Sequence, residues 1–366
     1  MACIGAHAAD TGLNAPKSAG SFMLYSLQAL RAFAAWVVVC HHFMQIFFDF
    51  HATGPVGQLL TDRGAVGVDI FFVISGLVIY LSTCDKPVEP RQFLLNRVLR
   101  IVPAYWFYTA LMALLLLAFS QWMPHQVFSW HHLLLSLLFI PAENPGGYGL
   151  YPTLNVGWTL NFEMFFYLLF GLAFLVRKRH HLLLVAGALL LVSEVLGRFG
   201  LLSRFYNNDI IYEFLLGIGL GVLYRHGLIR QGRVLALLLL GAAGLAIYHL
   251  DASQRLLHWG VPSAMIVLAF IALEPMFKGN RLLKALGDCS YSVYLIHVLV
   301  LYAGWFASQR LQLNPYWVFA VCVPSIGLMS WFSYCWLERG LYRRMQAWLA
   351  APRGGEPAYA LSRVKY

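Results

Sequence analysis

Charge is the scarcest property of this sequence. Only 11% of its 366 residues are Asp, Glu, Lys or Arg, whereas 60% are hydrophobic. A soluble globular domain carries roughly 25% charged residues, so this composition excludes a water-soluble protein with a polar surface. It predicts an all-α integral membrane protein that crosses the bilayer many times.

Acidic residues are rarer than basic ones, at 16 against 26, and the formal net charge is +10. Positive charges gather in the predicted cytoplasmic loops, where the anionic lipids of the inner leaflet attract them. Membrane lipids therefore account for the positive charge, and no nucleic-acid partner is expected.

Cysteine is scarce too, and its spacing is uninformative. The six cysteines show no CxxC pair or metal-ligand spacing, and most lie in or beside apolar runs, where a thiol packs as a small hydrophobe. We predict structural cysteines and no metal site.

No internal repeat and no long polar stretch divides the chain, so we expect one membrane domain, residues 22–340, between cytoplasmic tails 1–21 and 341–366.

Long apolar runs are abundant instead, and ten of them approach the roughly 20 residues that span a bilayer. The runs are 24–48, 64–83, 102–121, 156–176, 181–198, 209–225, 233–250, 257–276, 287–307 and 315–337. A further run, residues 133–140, is too short to cross and is predicted to be a re-entrant or interfacial helix.

Lys and Arg are unevenly distributed among the predicted loops. If the N-terminus is cytoplasmic, twenty of the 26 lie on the cytoplasmic side, five lie outside and Arg31 lies within the membrane. The positive-inside rule favours this orientation, so we expect both termini in the cytoplasm.

Arg31 and His42 both lie inside the first apolar run, where an ionisable side chain is a candidate functional group. Eleven residues are about three helical turns, so the two residues fall on one stripe, about 16 Å apart in rise. A guanidinium and an imidazole are therefore expected at different depths along one path.

Two carboxylates are predicted at the depth of His42. Asp69 lies near the outer end of the second run, and Glu163 lies in the outer half of the fourth. A carboxylate beside an imidazole can fix its tautomer and stabilise its protonated form, as a general base requires. Common depth does not establish contact, and hydrogen bonds from either carboxylate to loop backbone are the alternative.

A second pair of cations precedes the third run. Arg97 and Arg100 are three residues apart, so they share one face of a helical turn and can grip phosphate oxygens. With Arg31 they would form a cationic mouth for a ligand with phosphates at one end and a reactive group on a long arm, such as acyl-coenzyme A. Alternatively, the pair binds lipid headgroups, and Arg31 extends to the membrane interface.

Other intramembrane groups have structural explanations as well. An interhelical hydrogen bond would account for His42, and a packing pair with Tyr294 would account for His297. The many aromatic residues are typical of interfacial belts, although Trp158 is a candidate for stacking on a sugar ring.

Five motifs follow one another along the chain. They are Arg31 and His42 with ten residues between them, residues 67–76 (Gly-Val-Asp-Ile-Phe-Phe-Val-Ile-Ser-Gly), Arg97-Val-Leu-Arg100, Trp158-Thr-Leu-Asn-Phe-Glu163 with Phe166-Tyr167, and residues 286–297, which end in Tyr-Leu-Ile-His. Together they resemble the membrane-bound acyltransferase-3 family of bacteria, most closely its exopolysaccharide and O-antigen O-acetyltransferase branch.

The resemblance implies transfer of an acyl group, usually acetyl from cytoplasmic acetyl-coenzyme A, to a carbohydrate hydroxyl, in the cytoplasmic membrane of a bacterium. By matching positions it implies three roles: His42 as the catalytic histidine, Arg31, Arg97 and Arg100 as donor-binding residues, and Glu163 and Asp69 as supporting residues. The acceptor would be a lipid-linked glycan or a polysaccharide, and polysaccharide assembly proteins are further candidate partners.

Several alternatives stay open at this point. His42 either acts as a general base for direct transfer or becomes acylated itself, and the donor is acetyl, succinyl or another short acyl thioester. A proton-coupled transporter that uses His, Asp and Glu as a relay is the rival function, and a non-catalytic partner in a polysaccharide export complex is a third.

Overall fold

The computed structural model describes residues 24–51, 54–85, 87–119, 123 and 127–350. Within these ranges the chain is helical and contains no β-strand. The predicted tail 1–21 lies outside the described residues, as does the part of the predicted tail 341–366 that follows Ala350. The described part of the latter continues as helix.

Fifteen α-helices follow one another in the described ranges. They are α1 (Tyr25–Phe48), α2 (Pro55–Arg63), α3 (Val66–Thr83), α4 (Pro90–Phe119), α5 (Trp130–Leu137), α6 (Trp158–Ala173), α7 (His181–Leu190), α8 (Glu213–Arg225), α9 (Arg233–His249), α10 (Val261–Ala272), α11 (Glu274–Phe277), α12 (Arg281–Asp288), α13 (Ser290–Leu311), α14 (Pro315–Ser333) and α15 (Tyr342–Ala350). π-Helical segments extend three of them, at Leu191–Gly197 after α7, Leu256–Gly260 before α10 and Tyr334–Leu341 after α14.

Seven helices in the described ranges are long and apolar enough to cross a membrane. They are Tyr25–Phe48, Val66–Thr83, Pro90–Phe119, Asn155–Ala173, Lys178–Gly197, Ser290–Leu311 and Pro315–Leu349. The other predicted runs form shorter helices, α8, α9 and Leu256–Ala272. Each of the ten predicted runs thus contains helix in its described residues, and the protein is a multi-pass membrane protein, while ten crossings and cytoplasmic termini stay predictions.

The third predicted run differs from the helix that contains it. The run starts at residue 102, whereas α4 begins at Pro90 and continues through Pro103. Hydropathy shows where the charged residues end, but it does not show where helical hydrogen bonding begins. For this reason Arg97 and Arg100 were predicted to precede the membrane span. The structure places both arginines within the same continuous helix.

The short helix predicted at residues 133–140 is present as α5, which is eight residues long and begins three residues earlier. Ser129 caps its start by accepting a hydrogen bond from the backbone N–H of His132. Eight residues rise only about 12 Å, so α5 does not cross a bilayer. The side chains of Tyr105 and Trp106 on α4 donate to the last carbonyl groups of α5, at 3.0 and 2.8 Å, and fix it against the long helix.

Backbone contact joins α3 to α8. A Cβ atom at Gly217 would overlap the carbonyl oxygen of Val73, and one at Gly76 would overlap the carbonyl oxygen of Phe214. Because neither glycine carries a side chain, the two helices approach more closely than larger residues would allow. The α3–α8 contact therefore fixes α3, which also packs against α1 and carries both Asp69 and Ser75.

Candidate active site

One cavity is lined by the three arginines that were predicted to bind the phosphates of a ligand. Its space amounts to about 870 Å³, part of which is open to solvent, and Arg31 on α1 and both Arg97 and Arg100 on α4 line it. Glu163 on α6 lines the same cavity. We call this space the basic cavity. It brings four of the six predicted site residues together from three helices.

Arg97 is held in place by aromatic rings. Its guanidinium carbon lies 5.4 Å from the ring centroid of Phe93 and 5.4 Å from that of Tyr167, and its Nη2 lies 3.4 Å from the hydroxyl of Ser82. The electron-rich faces of the rings stabilise the cation without neutralising it. Its charge therefore stays available to an anion in the basic cavity.

Arg31 lies half-buried in the first turns of α1. It lies within electrostatic reach of the Arg100 cation and of the carboxylates of Glu338 and Asp288. Glu338 accepts a hydrogen bond from Ser292 on α13. This carboxylate follows α14 in the chain and was not predicted from the sequence, because no local spacing links it to α1.

Two hydroxyl groups hold the Glu163 carboxylate. Tyr167, one turn further along α6, donates to its Oε1, and Ser75 on α3 donates to the same oxygen at 3.3 Å. Both donors line the basic cavity as well. The Tyr167 contact is a same-face pair four residues apart, a spacing visible in the sequence but not used there.

His42 is paired with another imidazole rather than with a carboxylate. Its Nδ1 lies 3.0 Å from Nε2 of His297 on α13 and 3.1 Å from the carbonyl oxygen of Val38. The two rings are tilted, with centroids 5.0 Å apart. The common depth predicted for His42, Asp69 and Glu163 thus brings neither carboxylate to the imidazole, and the partner is His297, for which packing against Tyr294 was one explanation.

The hydrogen bonds assign the tautomers of this pair. Nδ1 of His297 lies 3.0 Å from the carbonyl oxygen of Val293, which only accepts, so Nδ1 carries the proton. Nε2 of the neutral His297 ring is then an acceptor, and Nδ1–H of His42 donates to it. Nε2 of His42 is left with its lone pair, the form that a general base needs.

Asp69 has a different partner from the one its depth suggested. Its fully buried carboxylate accepts two hydrogen bonds from Arg255, from Nε to Oδ1 and from Nη2 to Oδ2, both at 2.9 Å. Common depth defines the level of a side chain in the membrane but not the direction in which it points. The sequence offered no signal for a partner 186 residues away.

The residues that line the basic cavity do not include His42. Tyr294 connects the two places, because it lines the cavity and its ring centroid lies 6.0 Å from that of His297. The Tyr294 hydroxyl contacts the carbonyl oxygen of Val156 and the hydroxyl of Thr159, both at 2.9 Å. Tyr294 therefore stands between the arginines and the histidine pair.

Metal-ligating side chains do not converge in the ranges that the structure describes. No group of three or more His, Cys, Asp or Glu residues is close enough there to hold a metal ion. The five described cysteines are free thiols, and the sixth, Cys3, lies outside the described residues.

Membrane-spanning helices around a basic cavity, with an imidazole pair beyond it, define a multi-pass membrane protein with a polar site among its helices. The profile of the acyltransferase-3 family, described as an acyltransferase domain, matches residues 24–334. The chain belongs to this family, which confirms the resemblance seen in the motifs.

Similar proteins of named function come from several bacteria. Exopolysaccharide production protein ExoZ of Rhizobium meliloti (strain 1021) is 32% identical over 307 residues, which cover 81% of this chain and 95% of ExoZ. Acyltransferase MdmB of Streptomyces mycarofaciens is 28% identical, with 77% of this chain and 80% of MdmB covered.

A third relative extends well beyond the matched region. The putative peptidoglycan O-acetyltransferase YrhL of Bacillus subtilis (strain 168) is 24% identical, and the match covers 86% of this chain but only 54% of YrhL. No solved structure gives a significant match to this chain.

Proposed function

We propose that this protein transfers an acyl group, acetyl in the first instance, from acyl-coenzyme A to a hydroxyl group of a cell-surface or lipid-linked carbohydrate. One observation carries the proposal: the helix that places Arg31 in the basic cavity also carries His42, about 16 Å further along, with Nε2 in the form of a free base. The names of ExoZ and YrhL, which refer to exopolysaccharide and peptidoglycan, support a carbohydrate acceptor.

In this proposal the arginines bind the donor. The guanidinium groups of Arg31, Arg97 and Arg100 contact the phosphates of acyl-coenzyme A at the cytoplasmic side of a bacterial inner membrane. The pantetheine arm extends along α1 and passes Tyr294, so that the thioester carbon reaches the level of His42. Glu163, held by Tyr167 and Ser75, accepts hydrogen bonds from the arm.

The transfer step needs one base and no metal. The acceptor oxygen attacks the thioester carbon, and its proton passes to Nε2 of His42. The carbon–sulfur bond breaks, and the coenzyme A thiolate leaves and takes that proton from His42. His297 keeps its hydrogen bond to Nδ1 throughout, and Asp69 contributes indirectly, by holding Arg255.

The experiment uses purified protein in lipid nanodiscs, radiolabelled acetyl-coenzyme A, and surface glycan stripped of its esters by mild alkali. We expect label in the glycan with wild type and a loss of at least about a hundredfold with His42→Ala. The adjacent His41, whose Nδ1 contacts the carbonyl oxygen of Leu60, provides the matched control His41→Ala. Equal transfer by both variants would refute the role of His42.

The same experiment separates the remaining alternatives. Label that stays on the protein without glycan, and is lost in His42→Ala, would replace direct transfer by an acyl-histidine intermediate. Family membership favours an acyltransferase over a transporter. Coenzyme A release that depends on the glycan distinguishes the enzyme from both a transporter and a non-catalytic assembly partner, because neither consumes the thioester.

A further inference from the structure

Three aromatic side chains and one cation form a row at the start of α6. The ring centroids of Tyr148 and Tyr151 lie 5.9 Å apart, and those of Tyr151 and Trp158 lie 6.2 Å apart. The guanidinium carbon of Arg255 lies 6.0 Å from the Trp158 ring. We call these four side chains the aromatic row. It is separate from the basic cavity, which none of them lines.

The loop that carries the two tyrosines holds its own shape. The carbonyl oxygen of Tyr151 accepts hydrogen bonds from Nδ2 of Asn144 and from Nε2 of His132, both at 3.1 Å. Because a carbonyl oxygen only accepts, Nε2 of His132 carries a proton, and burial lowers the pKa of this ring. Gly147 and Gly149 have φ of +76° and +108°, which favour glycine. This loop is therefore organised before any ligand arrives.

The Arg255 side chain is held in place by its neighbours, as the tyrosine loop is, and some of its N–H donors are not used in these contacts. The bidentate pair with Asp69 engages Nε–H and one Nη2–H, and the Trp259 ring lies 5.4 Å from the guanidinium carbon. A guanidinium has five N–H donors, so three are not used by this pair. The side chain keeps 21% of its surface exposed. The Asp69 carboxylate offsets the charge of the Arg255 guanidinium. The remaining N–H groups of Arg255 are therefore better suited to neutral hydroxyl groups than to anions.

The aromatic row lies close to the imidazole pair. Thr159 follows Trp158 in the chain, and its hydroxyl lies 2.9 Å from the hydroxyl of Tyr294. The Tyr294 ring in turn contacts the ring of His297, which is hydrogen-bonded to His42. Three side chains, those of Thr159, Tyr294 and His297, thus connect the aromatic row to the proposed base. Arg255 also lies within electrostatic reach of His41, the neighbour of His42.

We propose that the aromatic row is the binding site for the acceptor carbohydrate, an inference that rests on the proposed function. The rings of Tyr151 and Trp158 present flat apolar faces to the C–H faces of pyranose units. The free N–H groups of Arg255 donate to sugar hydroxyls on the same side. Tyr151 is 38% exposed and Trp158 is half-buried, so both rings are open to a ligand.

Trp158 gives the sharpest test of this site. The probe is the surface glycan from a strain that lacks the protein, stripped of esters by mild alkali, and the protein is full-length in nanodiscs. We expect Trp158→Ala to raise the KM for glycan roughly tenfold, as lost ring stacking predicts, while the KM for acetyl-coenzyme A stays unchanged. Trp158→Phe keeps a ring and should show a smaller rise.

Trp130 is the matched control, since it is 70% exposed on α5 and lies outside the row. Trp130→Ala should leave both KM values unchanged. Tyr151→Leu, a substitution at an exposed loop position, replaces Trp158→Ala if the latter does not yield monodisperse protein. Its expected effect is the same rise in glycan KM.

A second measurement separates the site from the reaction. Binding of the stripped glycan is measured without any acyl donor, by isothermal titration calorimetry, which does not depend on the tryptophan that is replaced. Transfer by wild type with no change of glycan KM in Trp158→Ala and Tyr151→Leu would overturn the aromatic row but leave the proposed function intact. Glycan binding that is lost in Trp158→Ala, without transfer by wild type, would support the row and refute the acyltransferase. Wild type that neither binds nor transfers would refute both.

Discussion

Nδ1 of His42 lies 3.0 Å from Nε2 of His297, and this contact joins α1 to α13 within the membrane. Because His297 accepts through a neutral ring, it orients His42 without placing a negative charge beside it. The pair thus takes the orienting role that a carboxylate would have had, and it avoids burying a charge in lipid surroundings.

The role of His297 can be tested by changing only its ability to accept a hydrogen bond. His297→Phe keeps an aromatic ring but removes the imidazole acceptor and leaves Nδ1–H of His42 with the Val38 carbonyl oxygen. The His42 ring is then less firmly oriented, and kcat should fall at least about tenfold. His297→Gln keeps an acceptor oxygen and should retain more activity. The KM for acetyl-coenzyme A should stay unchanged in both variants. Equal kcat for the two would show that His297 only fills space.

Arg97 should affect donor binding rather than chemistry. We expect Arg97→Ala to raise the KM for acetyl-coenzyme A about tenfold or more, because a charge-assisted hydrogen bond is lost, with a smaller effect of Arg97→Lys. The exposed Arg91 on the same helix is outside the basic cavity, and Arg91→Ala is the control. Steady-state kinetics at two salt concentrations measure the effect. An equal rise for Arg91→Ala would indicate a general surface charge effect instead.

Asp69 is expected to matter for stability. Asp69→Asn leaves the Arg255 cation without its charged partner, and breaking a buried ion pair costs about 3–5 kcal/mol. The thermal unfolding midpoint in detergent should therefore drop clearly, whereas Asp62→Asn, at an exposed position on α2, should not change it. The double variant Asp69→Asn/Arg255→Gln should recover part of the loss. A midpoint equal to that of wild type for Asp69→Asn would contradict the pairing.

The α3–α8 contact predicts opposite outcomes for two neighbouring glycines. Gly217→Ala places a methyl group against the Val73 carbonyl and should lower the unfolding midpoint, because the helices must separate. Gly219 has open space around it, and Gly219→Ala should be neutral or stabilising by up to about 1 kcal/mol. Thermal unfolding of both variants in the same detergent makes the comparison. Identical midpoints would show that the helices are less tightly packed than described.

What the sequence could predict depended on local spacing. Arg31 and His42 share one helix, so their stripe and their separation follow from helical geometry alone. Arg97 and Arg100 share a face for the same reason, and all three arginines do line one space.

Contacts between distant helices could not be predicted in the same way. Asp69 and Arg255 are 186 residues apart, and His42 and His297 are 255 apart. Hydropathy gives the depth of each side chain, but the rotation of each helix about its own axis is set by packing against its neighbours. One sequence contains too little information about that rotation. For this reason the carboxylates could be assigned only the depth of His42, and its imidazole partner was not predicted.

The glycine-to-backbone contact between α3 and α8 also limits how the molecule can open. Two helices that touch through their main chains have no flexible side chains between them to repack, so we expect α3, which carries Ser75 and Asp69, to move little relative to α8. If the donor arm passes Tyr294 as proposed, the space for it must come from the opposite side, through a rotamer change of that tyrosine or a tilt of α13. The conformation of the Tyr294 side chain would then decide whether the donor arm can pass, while α3 and α8 stay in place.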